Sequence, residues 1–218
     1  MSLRVAAASL LGVTPIAMLL AFVLARGRFA GKWLVEALVN LPLVLPPVVT
    51  GLVLLLVFGV RGPVGGWLRD SFGVTLAFHW TGAALAAGVM ALPLVVRPLR
   101  LSLEAVDHGL EQAAATLGAP PVQVFLRVTL PLAAPGLIAG MMLGFARAFG
   151  EFGATVTFAG SIPGETQTLP VAIYTALQRA DGEAPAMRLA ILSVLVSVAA
   201  LFIAEWINRR ALRAGRPR

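Results

Sequence analysis

The chain has 218 residues, of which 59% are hydrophobic and only 12% are charged, and its mean hydropathy is +0.90. Soluble domains carry about 25% charged residues, so this composition predicts a polytopic membrane protein and excludes a sizeable soluble domain. The absence of cysteine excludes disulfides, thiolate metal sites and thiol catalysis. The net charge of +7 comes from basic residues that flank apolar segments, which indicates membrane orientation and not nucleic-acid binding.

Five apolar segments are predicted to cross the membrane, since about 20 apolar residues span the hydrocarbon as a helix. They are residues 5–25, 41–60, 81–96, 132–149 and 189–206. Thr14-Pro15 should kink the first span, and three prolines crowd the start of the second. The third span is rich in alanine and glycine, which predicts close packing inside the bundle. The fold class is therefore an all-α polytopic membrane protein forming a single domain over 1–218.

Two connections between the spans differ in character. Residues 61–80 read as a loop whose tryptophans, Trp67 and Trp80, suit the membrane interface. Residues 150–188 are too polar for a simple span and too apolar for a solvated loop. They are predicted to be an external or re-entrant segment, with a short helix at Leu169–Leu177.

The distribution of basic residues predicts the orientation. With five spans, eleven Lys and Arg residues fall on one side and five on the other, with Arg147 near the end of the fourth span. The positive-inside rule then places the loop 97–131 and the C-terminus in the cytoplasm and the N-terminus outside.

Residues 107–131 interrupt the apolar pattern and read as a helix–turn–helix. Asp107 can cap a helix, Gly118 suits the position after its last turn, and the proline pair at Pro120 prevents continuation. A short second helix then reaches Pro131. Along the first helix a narrow apolar stripe comprises Leu110, Ala113, Ala114 and Leu117.

Gln112-Ala113-Ala114 is followed after three residues by Gly118 and after nine more by Val128-x-Leu130-Pro131. This spacing resembles the cytoplasmic EAA signature of bacterial importer permeases of the ATP-binding-cassette class. Gln112 stands where the family has glutamate, Val128 stands where it has isoleucine, and Glu111 lies one position early.

The resemblance implies that the loop 97–131, the coupling loop, contacts an ATPase subunit; the alternative is an ordinary amphipathic connector. The residues implied in coupling are Glu111, Gln112, Ala113, Ala114, Leu117, Gly118, Val128, Leu130 and Pro131.

Residues 150–155, Gly-Glu-Phe-Gly-Ala-Thr, and the later runs Ile-Pro-Gly-Glu-Thr from 162 and Tyr-Thr from 174 resemble the molybdate branch of these permeases. The resemblance implies an oxyanion importer of the prokaryotic cytoplasmic membrane. It also implies a permease homodimer with two ATPase subunits, an external binding protein and no cofactor. Tungstate and sulfate or thiosulfate remain open as the cargo.

Ionisable residues at membrane depth are functional candidates. Candidates for the translocation pathway or gate are Arg147, Gly150, Glu151, Phe152, Thr155 and Thr157. Alternatively, Arg147 and Glu151 pair with each other and the threonines bond back to their own helix. Pro163, Gly164, Glu165 and Thr166 form either a docking site for the binding protein or a plain surface turn.

The sequence contains no G-x-x-x-x-G-K-[ST], no paired nucleophile and base, and no metal-ligand cluster, so an enzyme is not expected. The rival class is a secondary carrier driven by an ion gradient. Such carriers show internal repeats and broken helices with ion ligands at mid-membrane, and no convincing repeat is seen here.

Overall fold

The computed structural model describes residues 1–214, with side chains for 1–203 and Trp206, and this part of the chain is helical apart from turns and short connections. The helices are α1 (Ser2–Arg26), α2 (Lys32–Val44), α3 (Pro47–Phe58), α4 (Pro63–Phe72), α5 (Trp80–Glu104), α6 (His108–Thr116), α7 (Pro121–Val124), α8 (Leu130–Phe149), α9 (Gly153–Ala159), α10 (Leu169–Leu177) and α11 (Glu183–Ala214). Arg216 and Arg218, two of the basic residues assigned to the cytoplasmic side, lie outside the described residues.

Within the described residues, four helical stretches are long and apolar enough to cross a membrane, and the bent pair α2–α3 makes a fifth candidate. The four are Ser2–Arg26, Trp80–Glu104, Pro121–Phe149 and Glu183–Ile203. The all-α class with about five apolar spans is thus confirmed.

Helix α5 is the centre of the bundle and packs against α1, α8 and α9. Of its most apolar window, 61% is buried inside the chain, as its small residues predict. Its buried positions include Gly82, Ala83, Ala86, Ala87 and Ala91, which let neighbouring backbones approach closely.

The contact of α8 with α5 depends on glycines spaced four residues apart. A Cβ added at Gly140 would lie 2.7 Å from the carbonyl oxygen of Val95, and one at Gly136 would lie 2.5 Å from that of Pro98. Gly144 continues the same stripe and lies against Val95. Glycine is therefore required there by the neighbouring helix, not by backbone conformation.

The predicted second span, 41–60, covers the end of α2 and the whole of α3 and is broken between them. The two helices meet at an angle of 115°. Leu45 and Pro46 each precede a proline and adopt extended ψ angles of 140° and 133°. A residue before proline is disfavoured in the helical region, so two in succession separate the helices.

The third span is longer than the predicted 81–96. Helix α5 continues through Arg97 and Arg100 to Glu104, so the first part of the loop 97–131 is helical. The two arginines have partners on α2: Arg97 Nε donates to Asn40 Oδ1 at 2.7 Å, and Arg100 lies 2.8 Å from the Glu36 carboxylate. Arg97 therefore has a hydrogen-bond partner and Arg100 a counter-charge on α2, and neither residue ends the helix.

The connections also contain helices. Residues 61–80 include α4, which begins with a proline and ends at Gly73 with φ +67°. The segment 150–188 contains α9 and α10, and the predicted bounds of α10 are confirmed.

The second helix of the helix–turn–helix does not stop at Pro131. It begins at Pro121 and passes through a π-helical turn, Phe125–Thr129, directly into α8. The turn widens the helix just before Pro131, whose ring would otherwise clash with the carbonyl group one turn earlier. Residues 121–131 of the coupling loop and the predicted span 132–149 are therefore one continuous helical rod, which α6 precedes as a separate helix.

Candidate functional site

Helix α6, which contains the first part of the EAA-like sequence, is capped at both ends by residues next to it in the chain. Asp107 accepts a hydrogen bond from the Gly109 amide at 2.8 Å, as predicted for an N-cap. At the other end the amides of Gly118 and Ala119 donate to the carbonyl groups of Ala115 and Ala114 at 3.0 and 3.2 Å. With Gly118 at φ +88°, these bonds form a Schellman motif.

The apolar stripe of α6 is directed away from the rest of the chain. Leu117 is 89% exposed and Leu110 is 50% exposed, and no residue of α6 is buried. Gln112 and Ala113 are exposed as well, whereas Ala114 is half-buried. A helix that presents its apolar face outward is available to a partner protein.

Glu111 points the opposite way, into the chain. Its Oε1 accepts hydrogen bonds from Arg26 Nη2 at 2.9 Å and from Thr129 Oγ1 at 2.6 Å. Its Oε2 lies 3.1 Å from the His108 ring. Sequence reasoning missed Arg26 and Thr129, because contacts across 85 and 18 residues leave no local signal.

The second half of the EAA-like sequence lies where the coupling loop joins α8. Val128 and Leu130 are half-buried and Pro131 is exposed, while Thr129 between them is buried. These residues lie within the rod that follows the turn after α6.

Arg147 and Glu151 form a salt bridge, as their i, i+4 spacing on one helix face allows. The Glu151 side chain is 1% exposed, and its Oε1 also accepts from the Ala154 amide at 2.8 Å, near the start of α9. The Arg147 side chain remains 25% exposed. Gly150 between them is exposed, and the Phe152 ring packs on that of Tyr174 at 5.0 Å.

The two candidate threonines differ. Thr157 Oγ1 donates to the Gly153 carbonyl group at 2.8 Å, which is the bond back to its own helix. Thr155 is fully buried, and its hydroxyl group has no hydrogen-bond partner among the described residues. The same holds for Thr50 on α3, a helix that packs tightly on α9.

The candidate docking turn divides into exposed and buried parts. Pro163 and Gly164 are exposed, and the Glu165 carboxylate lies 3.7 Å from the His79 ring. Thr166 is fully buried, and its Oγ1 accepts from the Ile162 amide at 3.0 Å, so it holds the turn together.

Comparison with known proteins gives a family for this arrangement. Residues 14–213 match the family described as "binding-protein-dependent transport system inner membrane component". The chain is 51% identical over 217 residues to the molybdenum transport system permease protein ModB of Escherichia coli K12, covering 99% of this chain and 95% of that protein. It is 39% identical over 199 residues to the E. coli sulfate transport system permease protein CysT, covering 91% and 70%.

A solved structure of the MetNI methionine ABC transporter has the same fold, with a TM-score of 0.69 at 19% identity, covering 97% of this chain and 91% of the solved chain. The family match over residues 14–213 and the identity to these permeases point to one family. The chain belongs to the binding-protein-dependent transport system inner membrane components, a family of multi-pass permease subunits of the inner membrane.

Proposed function

We propose that this chain is the membrane-spanning subunit of an ATP-driven importer that translocates molybdate. The observation that carries the proposal is its higher identity and coverage with the molybdenum permease than with the sulfate permease. The resemblance of residues 150–175 to the molybdate branch supports the same anion.

In this proposal two copies form a C2 pair with the conduit between them. Each coupling helix sits in a groove of one of two ATPase subunits, and an external binding protein delivers the anion. The exposed Leu110 and Leu117 supply the apolar contact on the cytoplasmic side. The N-terminus lies outside and the C-terminus in the cytoplasm.

The ATPase subunits carry out the hydrolysis, since this sequence has no P-loop. When the ATPase pair closes on ATP, the two coupling helices move and the spans open toward the outside. Hydrolysis restores the inward-facing state. The continuous rod from Pro121 to Phe149 suits this transmission, because the part of the coupling loop after Pro120 runs into the span without a break.

The pathway or gate is proposed to run beside Arg147, Gly150, Glu151, Phe152, Thr155 and Thr157. The partly exposed guanidinium of Arg147 can meet a divalent oxyanion, while buried Glu151 holds that guanidinium in position. The hydroxyl group of Thr155 is a hydrogen-bond donor without a partner among the described residues. On the outer side, Pro163, Gly164 and Glu165 form the proposed docking surface for the binding protein, with Thr166 supporting the turn.

The experiment is uptake by the full complex, reconstituted in liposomes with its ATPase subunits and binding protein. Labelled molybdate should enter only when ATP is present, and unlabelled molybdate should compete better than sulfate. Tungstate is the chemically nearest competitor, and stronger competition by tungstate or sulfate would reassign the cargo. Uptake by the chain alone on an ion gradient would contradict the proposal and favour a secondary carrier.

A further inference from the structure

We propose that Glu111 ties the coupling helix α6 to the end of α1 through Arg26, so that the two move as one rigid unit, and that it makes no direct contact with the ATPase. The inference rests on the proposed function, since it names the link by which ATPase motion reaches a span that is not adjacent to α6 in the sequence. Glu111 and Arg26 are then positioning residues for coupling.

Both oxygens of the Glu111 carboxylate contact groups of this chain. Oε1 is held by Arg26 and Thr129, and Oε2 by the ring of His108. The Arg26 and Glu111 side chains are only 15% and 19% exposed. Arg26 also reaches the His108 ring with its second nitrogen, at 2.6 Å to Nε2.

An open cavity lies beside this ion pair, so little side-chain packing holds α6 against α1 there. A cavity of about 350 Å³ lies between the end of α1 and the coupling loop, and its lining includes Phe22, Arg26, Glu111, Phe125 and Thr129. No residue of α6 is buried, so apolar packing does not fix α6 on the bundle. A further contact between α1 and the coupling loop is the edge-to-face pair Phe22–Phe125, with ring centroids 5.3 Å apart.

Glu111 lies one position before the glutamate of the EAA pattern, and this shift places it on a different face of α6. On α6 the exposed Gln112 and Leu117 face outward, while Glu111 and Ala115, one turn apart, face the cavity and α1. The outward-facing side chains are thus available for the ATPase groove, and the inward-facing Glu111 carboxylate holds α6 against the end of α1.

The first test uses Glu111→Gln, Arg26→Gln and the double variant in the reconstituted complex, with uptake per ATP hydrolysed as the measurement. Each single variant should lower this ratio at least about threefold while the ATPase subunits still co-purify. The double variant should be no worse than either single variant, because the two residues act through one contact. Glu104→Gln, which removes a carboxylate from an exposed ion pair with Arg100 on α5, is the matched control and should leave the ratio unchanged.

An unchanged ratio in the Glu111→Gln variant would overturn the inference, and so would additive losses in the double variant. Loss of the ATPase subunits from Glu111→Gln alone would also overturn it, since Glu111 would then be a direct contact. Failure of the wild-type complex to take up any oxyanion with ATP would contradict the proposed function instead.

A second measurement leaves the ion pair intact and so does not depend on the variants folding. Spin labels on Leu19→Cys in α1 and Thr116→Cys in α6, both exposed side chains, report the distance between the helices. The distance should stay constant between the nucleotide-free and ATP-bound complexes. A change of several ångströms would show that α6 moves independently of α1 and would overturn the inference.

Discussion

At the scale of single residues, Glu151 has two contacts that stabilise the start of the segment 150–188. One carboxylate oxygen accepts from the Ala154 amide and the other pairs with Arg147. A carboxylate with almost no exposure is stable only when both oxygens are satisfied. The same side chain therefore caps α9 and holds Arg147 beside it.

Replacing Glu151 with glutamine should keep the cap but leave Arg147 without a counter-charge. Removing one partner of a buried ion pair costs about 3 kcal/mol, somewhat less here because Arg147 is partly exposed. The thermal unfolding midpoint of the purified chain in detergent should fall accordingly. The double variant Arg147→Gln, Glu151→Gln should be more stable than the single one, and a further loss in the double variant would contradict this account.

At the scale of helices, the glycine stripe at 136, 140 and 144 sets the distance between α5 and α8. Membrane helices associate through close packing of this kind, since lipid offers no hydrophobic driving force between them. The stripe belongs to the same rod that contains the second half of the EAA-like sequence. A precise α5–α8 contact therefore also determines how motion of the coupling loop reaches the bundle.

Gly140→Ala should destabilise the chain by about 1–3 kcal/mol, because its Cβ would overlap backbone atoms of Val95 that cannot rotate away. Gly12→Ala is the matched control, since Gly12 lies inside α1 with nothing within 4 Å of its added Cβ. That change should be neutral or slightly stabilising. Thermal unfolding in detergent distinguishes the two, and equal midpoints would refute close packing at Gly140.

Gly118 acts at the end of the coupling helix through its backbone conformation. Its φ is +88° and nothing lies within 4 Å of an added Cβ, so valine would be strained without meeting any neighbour. Gly118→Val should cost about 1–2 kcal/mol locally and reduce ATP-dependent uptake several-fold, while Gly118→Asn should retain most of it. Gly73→Val imposes similar strain after α4, at φ +67°, and should not affect uptake per complex.

At the scale of the whole molecule, many large apolar side chains lie on the outside of the helix bundle. The most apolar window of α11 is only 6% buried inside the chain. An exposed apolar surface of this extent is covered by lipid or by another subunit. It suits a chain that works as one member of a larger membrane complex.

The absence of cysteine makes the orientation directly testable. Leu117→Cys and Pro163→Cys place single thiols on exposed positions of α6 and of the turn at 162–166. A membrane-impermeant maleimide added to intact spheroplasts should label the thiol at position 163 at once. It should label that at position 117 only after the membrane is opened, and the reverse pattern would place the coupling loop outside.

The sequence alone predicted the features that depend on local chemistry. Apolar length predicts the spans, the Asp107 and Gly118 caps predict the first coupling helix, and the spacing from Gln112 to Pro131 indicates the family. The i, i+4 spacing of Arg147 and Glu151 also allowed their pairing. Each of these follows from residues that are close together in the chain.

The tertiary structure determined what depends on distant residues. It separated the second span into two helices at 115° and extended α5 beyond Arg97, whose guanidinium donates a hydrogen bond to Asn40 on α2. It also turned Glu111 inward, onto Arg26 at the end of α1. A polar side chain on a short exposed helix turns toward the charged residue that the fold places next to it. That residue can be far away in the sequence, so no local pattern predicts the orientation.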